Sequence, residues 1–169
     1  MSDSNEIENN GIDGEDNMGS LCHGLTQANI ACSLKQTNKN LAVLTELSLD
    51  ISQHDLSEYR LGVKNEVKPD VCAYLELPTV PDEEVDLISV SQMPELAIEI
   101  LSPRQAISYL IRKIKAYFAL GVKSCWLVNP ATKSVTVYSQ PKKSETFGMS
   151  VEMFDNVMDI RLPVTEIFS

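Results

Sequence analysis

Asp70 and Glu99 are the residues whose setting most demands a chemical explanation. Glu99 lies in Leu96-Ala97-Ile98-Glu99-Ile100-Leu101, where every other side chain is apolar. Asp70 opens the apolar run Val71-Cys72-Ala73-Tyr74-Leu75, directly after Pro69. A carboxylate in a buried strand loses its hydration, and leaving it unpaired is strongly unfavourable. A divalent cation shared by the two acids would offset that cost. Oxygen ligands of this type suit Mg²⁺, with Mn²⁺ as a substitute, and such an ion keeps several waters. The chemistry would be hydrolytic, with an activated water as nucleophile and a phosphate as the group whose charge is neutralised. The plainer reading is that Asp70 caps a turn and Glu99 pairs with Lys113 or Arg112 downstream.

The segment from about 104 to 120 supplies a third group. Ile107, Leu110, Ile111, Ile114, Tyr117 and Phe118 fall on one helical stripe. With Ile114 at its centre, Lys113 and Lys115 lie near its two edges, at about 100° per residue. Either ammonium could reach toward Glu99, and periodicity does not choose between them. Arg112 is expected to point to solvent. His23, near the start of an earlier helix, could contact a phosphate or an active-site water. Its plainer reading is a helix-terminus histidine satisfied by backbone groups. Trp126 and Tyr117 read as core aromatics, because a base-stacking platform needs exposed rings.

The elements around these residues follow from patterning. Residues 1–18 form an acidic, polar lead expected to be disordered, and 19–169 form a single domain. Ser20 is an N-cap for a helix in which Leu21, Leu25, Ala28 and Cys32 recur at helical spacing and predict the core-facing side. Residues 41–51 alternate as a strand, EYRLGVKNEV is expected to turn back as a short hairpin arm, and 70–77 form a second strand. A proline-rich acidic connection leads to the strand at 95–101, which Pro103 ends. Gly121 stops the next helix in the left-handed cap position. Residues 124–130 and 134–140 pair as a hairpin, MSVEMFDN is a last strand, and LPVTEIF is a short terminal helix. This order, without a βαβ alternation or a glycine-rich phosphate loop, predicts an α/β sandwich: a mixed β-sheet core flanked by helices, with added C-terminal strands.

Composition narrows the function classes. The chain has 169 residues, 43% of them hydrophobic and 22% charged, enough for one proper core. No apolar run approaches bilayer length, and the acidic N-terminus has no signal-peptide pattern, so a cytoplasmic location away from membranes is expected. Cys22, Cys32, Cys72 and Cys125 form no CxxC pair and read as small buried hydrophobes. The net charge of −10 is set by the N-terminal lead and by residues 46–99. Between Leu101 and Phe147 the balance reverses: Arg104, Arg112, Lys113, Lys115, Lys123, Lys133, Lys142 and Lys143 face only Glu145. That segment offers a basic face for nucleic acid, with Arg104, Arg112 and Lys115 as candidate contacts, although a solvated helix surface gives the same pattern.

The run Pro69-Asp70, then PELAIEILSP, KIKAYFALGVKSCWLVNP and SVTVY, resembles a large family of restriction-endonuclease-like proteins. That family is abundant in cyanobacteria and belongs to the PD-(D/E)XK nuclease superfamily. MGSLCHGLTQANI, with His23, and the ending NVMDIRLPVTEIF are similar to their counterparts there, so the resemblance spans roughly residues 12–169. It implies a four-stranded mixed core sheet between helices, Mg²⁺ binding and hydrolysis of DNA phosphodiesters. Asp70 and Glu99 match the family's metal carboxylates. The superfamily's lysine two residues beyond the second acid is replaced by Leu101. The resemblance places that function on the following helix at Lys113, four residues before its tyrosine. Glu15 is a loose match to an acid contributed near the first helix. The alternative is a nuclease-like fold kept as a nucleic-acid-binding or regulatory module without catalysis, suggested by the acidic charge, by Leu101 and by Tyr109 where relatives often carry aspartate. A homodimer would suit double-strand cutting.

Overall fold

Local sequence starts the first helix at the expected place. Ser20 is its N-cap, with the hydroxyl accepting the His23 N–H at 3.2 Å, and α1 runs Leu21–Thr37. The computed structural model describes residues 19–169; the acidic stretch before them, Glu15 included, lies outside the described residues.

Strands β1 (Ala42–Thr45), β4 (Val71–Tyr74), β5 (Leu96–Ile100), β6 (Ser124–Asn129), β7 (Ser134–Gln140) and β8 (Lys143–Phe147) form one six-stranded sheet in the order β1-β4-β5-β6-β7-β8. Every pairing is antiparallel except β5 with β6. The parallel pair needs a crossover, and α2 (Ile107–Ala119) supplies it. Gly121, at φ 101°, takes the left-handed conformation that ends this helix, as expected. The sheet is therefore mixed and flanked by helices, with β7 and β8 added beyond the four core strands.

The alternation along β5 divides the core. Leu96, Ile98 and Ile100 face one layer with Ile30 and Leu34 of α1, the hairpin of β9 (Glu152–Asp155) and β10 (Ile160–Pro163), and α3 (Val164–Ile167). Ala97 faces the other layer with Leu110, Ile114 and Tyr117 of α2. Glu99, at the same parity as Ala97, therefore faces α2. Buried Asp155 ties the β9–β10 hairpin to the sheet: its carboxylate accepts from the Ser124 hydroxyl, from the Trp126 indole at 2.8 Å, and from the backbone N–H groups of Val157 and Met158.

Four expectations are corrected. The core-facing side of α1 is His23, Thr26, Ile30, Ser33 and Leu34, whereas Leu21 is 88% exposed and Leu25, Ala28 and Cys32 also face out. Polar residues on the buried side blur the pattern: Thr26 and Ser33 sit against the core, so apolar spacing selects the wrong stripe. Cys72 and Cys125 are buried, but Cys22 and Cys32 are exposed with the rest of that face. The single strand expected over 41–51 breaks at Glu46, whose φ of 54° is left-handed. Beyond the break, β2 (Leu49–Asp50) pairs with β3 (Glu66–Val67), so the hairpin arm joins two separate stretches, with a 3-10 turn at Ser57–Tyr59 between them. Strands β8 and β10 are additions, since residues 143–147 carry little apolar alternation and Leu162 and Pro163 read as the start of the terminal helix.

Candidate active site

Register brings the two acids together. In the antiparallel β4–β5 ladder Val71 faces Ile98 and Cys72 faces Ala97; the same register, continued one step past the end of β4, sets Asp70 opposite Glu99. Directly opposed residues share a face of the sheet, with Cβ atoms about 5 Å apart. The Asp70 side chain completes the ladder: Oδ2 accepts the Ile100 N–H at 2.6 Å. Its backbone is fixed as well, with the carbonyl accepting from Gln27 Nε2 at 2.8 Å and from the Glu46 N–H at 3.2 Å. Pro69 has no N–H to offer the sheet and presets the approach to this position.

Glu99 is 2% exposed and Lys113 1%. Lys113 Nζ lies 2.9 Å from Glu99 Oε1 and donates to the Lys68 carbonyl, also at 2.9 Å. One helical turn later, Tyr117 donates its hydroxyl to the same Oε1 at 2.6 Å. His23, from α1 on the other side of Asp70, places Nε2 3.1 Å from Asp70 Oδ1. Four residues from four separate elements thus meet at one end of β5, with Tyr117 as a fifth.

The electrostatics follow from burial and crowding of like charge. Desolvation pushes the Glu99 carboxyl up to about 8; the Lys113 ammonium opposes that rise, and the Asp70 charge adds to it. The hydrogen bond to Asp70 raises the His23 pKa above 6.5, against a lowering by burial, and the charges of Glu99 and Glu46 reinforce the rise. Burial first, then the Glu99 charge, holds the Tyr117 hydroxyl protonated, so it stays a donor. The site is a compact cluster in which two crowded acids are each paired with a basic group, Asp70 with His23 and Glu99 with Lys113.

Each candidate residue has a definite place. Asp70, Glu99, Lys113 and His23 come together. His23 is satisfied by Asp70, not by backbone groups. The ion pair of the plainer reading, Glu99 with Lys113, exists, but inside this same cluster. Lys115 is excluded from it and lines a groove of about 470 Å³ with Lys123 and Lys142, at the end of the sheet where β6 begins. Arg104 is exposed just beyond β5. Arg112 does not point freely to solvent: it is half-buried, donates to the Arg60 carbonyl at 3.1 Å and lies 5.6 Å from the centre of the Tyr109 ring. Tyr109 is a buried core residue whose hydroxyl donates to the Leu61 carbonyl. Sequence reasoning places Tyr117 in the core and misses its polar contact; the four-residue spacing from Lys113 is the available signal.

Asp70 and Glu99 could hold a hard cation. Among the described residues no group of three or more His, Cys, Asp or Glu side chains gathers to hold a metal. A two-carboxylate site fits an ion that takes few protein ligands and keeps water for the rest, which is the habit of Mg²⁺.

A mixed sheet that delivers two opposed acids and a helix lysine to one edge defines a restriction-endonuclease-like fold. Residues 15–164 match the Uma2 family, described as "Putative restriction endonuclease", and the chain belongs to that family. Its fold is similar to a crystal structure described as "a putative nuclease belonging to DUF820" from Anabaena variabilis. That comparison has a TM-score of 0.71 at 19% identity and covers 89% of this chain and 82% of the other. No curated protein matches the chain.

Proposed function

We propose that this chain is a Mg²⁺-dependent endonuclease that hydrolyses DNA phosphodiester bonds, with Mn²⁺ able to substitute. The observation that carries the proposal is the convergence of Asp70, Glu99 and buried Lys113 at one end of β5. Family membership supports nucleic acid as the substrate class. Asp70 and Glu99 would be the cation's ligands. When bound, the cation would supply Lewis-acid stabilisation of charge on the phosphate and a nucleophilic water at neutral pH. Lys113 holds the Glu99 carboxylate and offers a fixed positive charge beside the reacting phosphate. His23 balances the charge of Asp70 and keeps its carboxylate oriented. Arg104, exposed beyond the same strand end, would meet the nucleic-acid backbone. Lys115, at the other end of the sheet, is not assigned to this site.

One observation favours a second reading, a nuclease-fold module that binds without cutting. Asp70 and Glu99 already have internal basic partners in His23 and Lys113. An acid pair neutralised in this way can persist without metal. Incubating the full chain with supercoiled and linear DNA, in Mg²⁺ or Mn²⁺ and in EDTA, separates the two. The nuclease reading expects cleavage that needs the cation and disappears in both Asp70→Asn and Glu99→Gln. Intact DNA of every form beside an active control nuclease, or cutting that survives in Glu99→Gln, would contradict it.

A further inference from the structure

The two donors on Glu99 are distributed unevenly. Lys113 and Tyr117 both address Oε1. A carboxylate at the end of a glutamate rotates easily, because its last torsion is broad and two-fold. The Lys113 ammonium, shared between Oε1 and the Lys68 carbonyl, is a point charge whose attraction is not directional. The Tyr117 hydroxyl differs. It sits on a rigid ring that is fully buried in the α2 layer, one helical turn beyond Lys113, and its 2.6 Å bond fixes where Oε1 lies. Fixing one oxygen of a carboxylate also fixes the other. Tyr117 is, moreover, a neutral donor: it orients the acid without bringing a second cation that would compete with a metal for it.

We propose that Tyr117 is a positioning residue that locks Glu99 by its Oε1 and thereby presents Oε2 to the divalent cation. The inference rests on the metal-centre reading above and extends it to a residue outside the ligand set. Partners that hold a metal ligand in place change metal affinity by about 10–100-fold when removed. A purely structural hydroxyl lowers stability and leaves affinity alone.

The test compares two buried tyrosine hydroxyls in the full-length, EDTA-stripped protein. Tyr117→Phe keeps the ring and leaves Lys113 on Glu99. Tyr74→Phe removes a hydroxyl of equal burial that donates to the Gln92 carbonyl at 2.7 Å, at the opposite end of β4. Mn²⁺ affinity is measured by titration calorimetry, and Tm is measured in EDTA. The proposal expects both variants to melt lower than the parent, with Mn²⁺ binding weakened about ten-fold or more in Tyr117→Phe only. Unchanged affinity in Tyr117→Phe, or equal weakening in Tyr74→Phe, would overturn it while leaving the metal centre standing. A parent protein that takes up no Mn²⁺ would overturn both.

Discussion

Asp70 stands opposite Glu99 in the register of the β4–β5 ladder, one step past the Val71–Ile98 pair, and its charge makes Glu99 harder to ionise. The Asp70 charge contributes to the rise of the Glu99 pKa to about 8. Asp70→Asn removes that repulsion and is expected to lower the Glu99 value, read as the carboxyl resonance of Glu99 followed by NMR across pH. An unchanged titration would mean that the two acids are not coupled.

The same groups set a pH dependence of stability. The folded-state pKa of Glu99 lies near 8, above its ordinary 4.5, so the folded chain holds a proton that the unfolded chain releases across that window. The His23 value is likewise raised above 6.5. Both contributions are fully present below the unfolded values and are lost as pH rises through the folded ones. Tm without metal is therefore expected to fall between about pH 5 and pH 9. Glu99→Gln flattens that slope, and Mg²⁺ restores most stability at the alkaline end. A melting temperature that climbs over this range would contradict the assignment.

Lys113 is expected to matter to both stability and cleavage. Lys113→Met removes the charge that opposes the rise of the Glu99 pKa, so Glu99 stays protonated at neutral pH, and loss of the contacts to Glu99 and the Lys68 carbonyl is expected to cost about 1–3 kcal/mol, by denaturant unfolding. Cleavage by the folded fraction falls about 10²–10³-fold. The double variant Lys113→Met with Glu99→Gln removes both charges and regains most of the stability but none of the cleavage. Recovery of cutting in the double variant would remove Lys113 and Glu99 from the chemistry.

Asp155 is expected to separate stability from activity. Asp155→Ala strands the buried Trp126 N–H and Ser124 hydroxyl and releases the turn after β9. The expected loss is about 3 kcal/mol in a urea melt, with DNA cleavage per folded molecule unchanged.

The corrected face of α1 has a simple check. Ile30→Ala opens a cavity in the sheet-facing core and is expected to cost about 2–5 kcal/mol. Leu25→Ser, on the outward side, is expected to change unfolding free energy by less than about 0.5 kcal/mol. Reversed magnitudes would restore the stripe that apolar spacing selects.

Much of the site is legible in the amino-acid sequence. An acid inside an apolar strand is conspicuous because burial is costly, and that alone singles out Glu99 and Asp70. Strand register, which makes them opposite each other, depends on where β4 and β5 pair, and no local pattern states it. Lys113 and Lys115 are equivalent by periodicity; packing of α2 on the sheet buries one and sends the other to the groove with Lys123 and Lys142. Tyr117 is hidden because a buried tyrosine looks like core until its hydroxyl is given a partner. Helix α1 misleads for the opposite reason: its buried side carries His23, Thr26 and Ser33 alongside Ile30 and Leu34, while Leu21, Leu25, Ala28 and Cys32 face out.

The central claim is that one divalent cation sits between Asp70 and Glu99. Anomalous diffraction from crystals of the full chain soaked in Mn²⁺ tests it without recourse to activity. The account predicts a single strong peak within about 2–2.5 Å of an oxygen of each carboxylate, absent in Glu99→Gln. A map with no peak between them, and with the Glu99–Lys113 and Asp70–His23 contacts unchanged, would contradict it.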